Sequence, residues 1–249
     1  MKNKMKIKAL LFSAVLFAYS QVEANHLNKG TDINFNNQLE ILDNDPETII
    51  NAYIKAVGGK GNISKIKNSI VVMEAEFQGA GITIKGISDQ ENSRLLQETL
   101  VMGNVAQKTV LVNGKGKISA MGQEQELTED MVNMLKAQTY VFPENHYVEL
   151  GYAVELHGTE EIDGETAHKL VITTANGIKT SEYYSVKSGL KLRTSSEATG
   201  DVSYSDYQEV EGVLIPMILS IKNPMLPVAL EAKVVSIKFN QELSDDDFK

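Results

Sequence analysis

Hydrophobic and polar residues alternate with a period of two along most of the chain between Ser69 and Asn240. This alternation is typical of β-strands that bury one face. Residues with strong turn preferences, above all glycine, separate most of the alternating segments. The pattern predicts eleven or twelve strands, within the ranges 69–78, 82–90, 93–102, 105–112, 115–122, 152–162, 165–175, 178–186, 190–198, 202–210, 213–222 and 228–240.

Most of the predicted strands are joined by connections too short to hold a crossover helix. Asn113-Gly114 and Asp163-Gly164 are typical two-residue hairpin turns. Sequence neighbours must therefore pair antiparallel. An antiparallel meander of this length has to curl in order to bury its apolar face. The predicted fold is mainly β, a curved sheet forming an unclosed half-barrel.

Two segments have the period of an amphipathic helix instead. The first begins at Asp45, a good N-cap, with Pro46 in the first turn, and ends before Gly58-Gly59. The second spans Thr128–Gln138, with Thr128 as its cap, and a short further turn follows Asn62. We expect two or three helices packed in the mouth of the half-barrel, with the second acting as a lid.

The N-terminus has the pattern of a signal peptide. Four lysines precede an apolar run over 9–20, and Val22-Glu23-Ala24 forms a small-x-small cleavage site. We expect cleavage after Ala24 and export to the periplasm, while an uncleaved signal anchor is the alternative. The remaining chain is predicted to form a flexible arm (25–44), one domain (45–242) and a solvated acidic tail (243–249).

Composition excludes several classes of protein. The sequence has no cysteine, so disulfides and N-terminal lipidation of a cysteine are excluded. Its formal net charge is −9, with 24 basic and 33 acidic residues. Removing 1–24 removes four Lys and one Glu, which leaves 20 basic and 32 acidic residues and a net charge of −12. We therefore expect no nucleic-acid partner, and no second apolar stretch is long enough to span a membrane.

The sequence contains no recognisable catalytic motif. It lacks a G-x-S-x-G nucleophile turn, a phosphate-binding loop and a cysteine nucleophile. A turn at Asp163-Gly164 predicts that His157 lies opposite Leu170 and His168 opposite Thr159. Two diagonal histidines without a third close ligand rarely bind a metal, so we interpret them as part of a solvated sheet face. We expect a non-catalytic protein with no metal and no cofactor.

Three phrases resemble LolA-like domains of exported Bacteroidetes proteins: AYIKAVGGKGNISKIKNSIVV, EEIDGETAHKLVITTANGIKTSEYYSVKSGLKLR and YSDYQEVEGVLIPMILSI. The resemblance implies an unclosed antiparallel barrel whose mouth is filled by helices around an apolar cavity for acyl chains. Similar segments occur as C-terminal accessory regions of M16-type zinc peptidases, but this chain lacks the HxxEH zinc motif. The functional residues of the lipoprotein carriers match no positions here, so none is transferred.

Methionine is frequent, and its flexible thioether side chain suits a surface that adapts to acyl chains. The resemblance and this composition predict a periplasmic protein that binds lipid or lipoprotein acyl chains in transport or outer-membrane biogenesis. Two alternatives remain: these residues simply fill a core, or the chain is a non-catalytic accessory or scaffolding module of an envelope complex or an M16-type peptidase. The predicted ligand-binding residues are Met102, Met121, Met131, Met134, Leu135, Phe142, Met217 and Met225.

Overall fold

The structure, a computed structural model, describes residues 45–197, 200–223 and 228–249. The predicted signal peptide and N-terminal arm lie outside these residues. The described part of the chain contains thirteen strands, including all twelve predicted ones. They are β1 Asn68–Phe77, β2 Ala80–Asp89, β3 Arg94–Val101, β4 Asn104–Val112, β5 Lys115–Ala120, β6 Gln123–Glu126, β7 Ala153–Ile162, β8 Glu165–Thr173, β9 Lys179–Ser185, β10 Lys191–Ser196, β11 Gly200–Val210, β12 Val213–Lys222 and β13 Leu230–Phe239.

All thirteen strands form one unclosed antiparallel sheet in the order β6-β5-β4-β3-β2-β1-β13-β12-β11-β10-β9-β8-β7. Each strand pairs with a sequence neighbour except at the contact of β1 with β13, where Ser69 lies opposite Phe239. The free edges are therefore β6 and β7, which follow one another in the chain. The predicted antiparallel half-barrel is confirmed.

Three α-helices accompany the sheet in the described residues: α1 Pro46–Ala56, α2 Lys60–Ile63 and α3 Glu129–Lys136. The Asp45 side chain accepts a hydrogen bond from the amide of Glu47, which confirms it as the N-cap of α1. The Thr128 hydroxyl likewise accepts from the amide of Met131 at the start of α3. A 3-10 turn over Ala137–Thr139 continues α3 toward the next loop.

Both long helices pack on the same face of the sheet, which we call the inner face. Residues of α1 share a buried cluster with Phe239 on β13, and Leu135 of α3 packs against Leu95 and Leu111 on β3 and β4. Cross-strand pairing places these sheet residues on one face, because Phe239 lies opposite Ser69 and the register continues through β2 to Leu95. The interior of the half-barrel is therefore partly filled by helices.

The acidic C-terminal segment packs on the opposite, outer face. Phe248 is buried against Ile87 and Leu96, and its ring lies 4.4 Å from the guanidinium carbon of Arg94. Asp245 adds an ion pair to the same arginine at 3.0 Å. The prediction of a solvated tail is therefore wrong for Phe248, although the neighbouring aspartates remain at the surface.

The additional strand β6 reads Gln-Glu-Gln-Glu and is fully exposed. It pairs with β5 through backbone hydrogen bonds, and Lys117 contacts Glu124 at 2.9 Å. Since β6 buries no side chain, no hydrophobic alternation marked it in the sequence.

Candidate ligand-binding face

The inner face carries an apolar cluster distinct from those beneath α1 and α3. We call it the apolar inner cluster. In the described part of the chain its members all come from strands, so no helix residue belongs to it. They are the buried Ile82, Ile84, Ile221, Leu230 and Ala232, with Met73, Ala75, Phe77, Val101 and Val202 packed against them.

Four predicted ligand-binding residues lie on or beside the helices. Met131 and Leu135 are buried under α3, while Met134 on the same helix is half-buried. Phe142 is buried in the cluster beneath α1, in the segment that follows α3. The structure therefore brings three of these residues to one helix and Phe142 to the neighbouring cluster.

The other four predicted residues do not join them. Met102 and Met121 occupy hairpin turns, with φ of 50° and 49°, and their side chains are 74% and 58% exposed. The turn conformation directs them away from the interior of the half-barrel. Met217 lies half-buried on β12, and Met225 lies outside the described residues.

A buried ionic cluster lies between the 3-10 turn Pro143–His146 and strands β9 and β10. It consists of Lys191, Glu144 and Glu182 with two tyrosines. The Lys191 ammonium lies 2.5 Å from Glu144 Oε1 and 2.9 Å from Glu182 Oε1. Tyr147 donates its hydroxyl hydrogen bond to Glu182 Oε1 at 2.8 Å, and Tyr184 donates to Glu182 Oε2.

Burial sets the protonation chemistry of this cluster. Burial raises the pKa of Glu144, although the nearby Lys191 opposes that shift. Burial alone would lower the pKa of Lys191, but the charges of Glu144 and Glu182 outweigh it and raise the pKa. Lys191 is therefore held as a cation at neutral pH and is not a nucleophile or a general base. The ion pairs and hydrogen bonds of this arrangement stabilise its buried charges.

No pattern in the sequence predicts this ionic cluster. Glu182 lies in the Ser-Glu-Tyr-Tyr stretch of β9, and Glu144 lies in a turn 38 positions earlier. A charged residue followed by two tyrosines in a strand was the one available local signal. Its partners come from other elements, so no spacing rule could have identified them.

The predicted pairing of the two β7–β8 histidines is only half confirmed. His168 lies opposite Thr159, but Leu156 rather than His157 lies opposite Leu170. The register shifts between Leu156 and Thr159, which is a β-bulge that the turn alone did not reveal. Among the described residues, no group of three or more His, Cys, Asp or Glu side chains is placed to hold a metal ion.

The described residues include two open surface clefts. One, of about 550 Å³, lies between α1 and the β9–β10 turn and includes Ala52, Lys55 and Lys187. The other, of about 540 Å³, lies beside Arg193 and Asp163. Of the predicted ligand-binding residues that the structure describes, none lines either cleft.

Comparison with known proteins identifies the fold. No protein-family model matches the sequence, and no curated protein matches it. Similar solved structures include a LolA superfamily protein from Nitrosomonas europaea (TM-score 0.53, 11% identity) that aligns over 82% of this chain and 97% of its own. A DUF1329 family protein from Desulfovibrio piger aligns over 82% and 98% (TM-score 0.52, 12% identity). A domain from Vibrio parahaemolyticus, described as an outer-membrane lipoprotein-sorting protein, aligns over 82% and 97% (TM-score 0.51, 12% identity).

These similarities show the fold and, at 11–12% identity, the fold alone. Helices of the described chain are all too short or too polar to cross a bilayer.

Proposed function

We propose that this chain, which has a LolA-like fold, is an exported, non-catalytic envelope protein that binds acyl chains of a lipid or lipoprotein on its inner face. The observation that carries the proposal is the apolar inner cluster. It lies in an unclosed sheet and is built from strand residues, whereas the other inner-face clusters also contain helix residues. The described lipoprotein-sorting role of the Vibrio relative agrees with such a ligand.

The physical chemistry of the inner face suits an acyl chain. Each methylene group buried contributes about 0.8 kcal/mol, so one or two chains give useful affinity. Met73 and Phe77 border the buried isoleucines of the cluster, and the unbranched thioether of Met73 adapts to a flexible chain. Movement of α3 and the turn after it would open the inner face.

A matched pair of substitutions on β1 tests the location of the site. Met73 lies opposite Ile84 on the inner face, while its neighbour Val72 lies opposite Lys85 on the outer face. We expect Met73→Glu to weaken binding of N-phenyl-1-naphthylamine at least tenfold, because it places a carboxylate among apolar side chains. Val72→Glu introduces the same charge beside a lysine and should leave fluorescence titrations unchanged.

Equal binding by a folded Met73→Glu variant would contradict the proposed location. If that variant unfolds, Met73→Gln supplies the polar change without the charge. The decisive experiment on function itself is mass spectrometry of organic extracts of the protein purified from its native envelope without detergent. A stoichiometric acylated molecule is the expected result.

One observation favours a second function, that of a scaffolding or accessory module with a filled core. The central residues of the apolar inner cluster are already buried in the ligand-free structure. Such a module would yield no lipid on extraction, reject the fluorescent probe and co-purify with a protein partner. These results would replace the acyl-binding proposal.

A further inference from the structure

Along β3 and β4, the residues on the inner face are first apolar, then polar and then apolar again. Leu95 lies opposite Leu111 beneath α3, and Val101 at the other end of β3 belongs to the apolar inner cluster. Between them, four uncharged polar residues face each other in two cross-strand pairs, which we call the inner polar patch. The pairs are Gln97 with Thr109 and Thr99 with Gln107.

The inner polar patch is buried and incompletely hydrogen-bonded. Thr99 and Gln107 are buried, and Thr109 is 0% exposed. Thr109 Oγ1 and Gln97 Oε1 have no hydrogen-bond partner among the described residues. Buried polar atoms in folded proteins almost always have partners, so these two indicate a place where a partner binds.

The side chain of Gln138, in the 3-10 turn after α3, already lies on the patch. Gln97 Nε2 donates to Gln138 Oε1 at 2.5 Å, and Ser88 Oγ donates to the Gln138 backbone oxygen at 2.8 Å. The group that contacts the patch in the ligand-free protein is therefore a primary carboxamide. Since Gln97 Nε2 is used in this contact, its Oε1 remains as an acceptor.

The charged side chains near the inner polar patch lie on the outer face of the sheet. Glu98 and Lys108 alternate with the patch residues and form an outer-face ion pair at 3.2 Å. All four patch residues are uncharged. On β2, Ile84 lies directly opposite Thr99, so the patch adjoins the apolar inner cluster.

We infer that the inner polar patch binds the amide linkage of an N-acylated ligand, while its acyl chain lies on the apolar inner cluster. The Thr109 hydroxyl donates to the ligand carbonyl, and Gln97 Oε1 accepts from the ligand N–H. Gln138 holds this place in the ligand-free protein and leaves it when the segment after α3 moves. An ester satisfies only the first of these contacts, and a carboxylate would be buried without a cation. This inference rests on the proposed function.

Three probes with the same C12 acyl chain test the inference: N-methyldodecanamide, methyl dodecanoate and the dodecanoate ion. Each is titrated against N-phenyl-1-naphthylamine bound to the wild-type protein. We expect the amide to displace the reporter at about tenfold lower concentration than the ester, and the carboxylate to be the weakest. A tenfold gain in affinity corresponds to the free energy of one hydrogen bond.

Thr109→Val is the informative substitution because it keeps the shape of the side chain and removes the unpartnered hydroxyl. The variant should be at least as stable as wild type in urea and should bind both carbonyl probes at least fivefold more weakly, with reporter binding unchanged. Thr83→Val, on the outer face of β2 opposite Glu74, is the matched control. It should change neither the stability in urea nor the binding of the carbonyl probes. Gln97→Leu should remove the preference for amide over ester.

The outcomes separate the two proposals. If the reporter and the ester bind but the preference for the amide is absent, or persists in Gln97→Leu, or if Thr109→Val binds both carbonyl probes as tightly as wild type, this inference is overturned and the acyl-binding function stands. If neither the reporter nor any probe binds, the proposed function fails and this inference fails with it.

Discussion

Lys191 retains its charge in the protein interior because two carboxylates and the rings of Tyr53 and Tyr184 surround its ammonium group. The Glu182 carboxylate accepts three hydrogen bonds, from Lys191, Tyr147 and Tyr184. Glu144 is the less satisfied partner, since its Oε2 has no hydrogen bond among the described residues. The two acids are therefore not equivalent: both oxygens of Glu182 accept hydrogen bonds, whereas one oxygen of Glu144 does not, and burial raises the pKa of Glu144.

Removing the Lys191 cation should lower the free energy of unfolding more than removing the Glu144 acid. Lys191→Met leaves two buried carboxylates without a counter-charge, so we expect it to lower the free energy of unfolding by about 3–5 kcal/mol in urea titrations. Lys187→Met, an exposed change in the adjacent turn, is the control and should stay within about 0.5 kcal/mol. Equal stability of the two variants would contradict the role of the ionic cluster.

The same cluster predicts a pH dependence of stability. Burial raises the pKa of Glu144 above its usual 4.5 in the folded state. The folded protein then binds more protons than the unfolded chain at pH values above 4.5, so its free energy of unfolding should fall as pH rises until Glu144 is ionised. Glu144→Gln should flatten this slope in urea titrations between pH 4.5 and 8. A slope unchanged by the substitution would assign the pH dependence to other groups.

At the scale of elements, α3 is held to the sheet mainly by a short apolar stripe and by the residue that follows it. Leu135 packs on Leu95 and Leu111, and Gln138 bonds to Ser88 and Gln97. Eight residues are too few for a helix to be stable in water without such packing. The segment from α3 to Gln138 is therefore the part of the inner face best suited to open.

A change on α3 tests its role as a lid. Met134 is half-buried on the helix, and Met134→Glu should abolish lipid uptake while the sheet remains folded. The reason is that a carboxylate at this position disfavours contact with an acyl chain. Met102→Glu, in an exposed hairpin turn, makes the same change away from the inner face and should leave uptake intact. Circular dichroism and reporter titrations give the two readouts, and normal uptake by a folded Met134→Glu variant would refute the lid.

The elements were largely predictable from the sequence, because alternation and turn residues are local signals. The face of the sheet that each strand buries was not predictable from the sequence. Leu95 and Leu96 are adjacent and both buried, since α3 covers the first and Phe248 covers the second. Gln97 and Thr109 look like surface residues in the sequence, and only pairing shows that they share the inner face. Contacts between residues far apart in the sequence form the candidate site, and a single sequence does not predict such contacts.

At the scale of the whole molecule, the sheet is covered on both faces, by helices inside and by the C-terminal segment outside. Arg94 links that segment to the sheet, because it pairs with Asp89 at 2.6 Å and with Asp245 at 3.0 Å. Its guanidinium also stacks near the Phe248 ring. The C-terminal residues thus stabilise strands β2, β3 and β4 rather than extending from the sheet.

Loss of the terminal aromatic ring should destabilise the entire domain. Phe248→Ala exposes Ile87 and Leu96 and removes the contact with Arg94, so we expect a loss of about 3 kcal/mol in the free energy of unfolding. Asp246→Ala, an exposed change two residues earlier, should have little effect. Urea titrations of both variants measure the difference, and equal stability would show that the segment packs without stabilising the sheet.

The contact between β1 and β13 has a consequence for how the chain folds. It joins residues 170 positions apart, as with Ser69 and Phe239, whereas every other strand pair in the sheet joins sequence neighbours. Each half of the sheet can form by closing short loops, but this contact requires most of the chain to be ordered first. Until it forms, β1 and β13 are two additional free edges, long and rich in Val and Ile, that can pair with other molecules. The slowest and most aggregation-prone stage of folding is therefore the joining of two finished meanders.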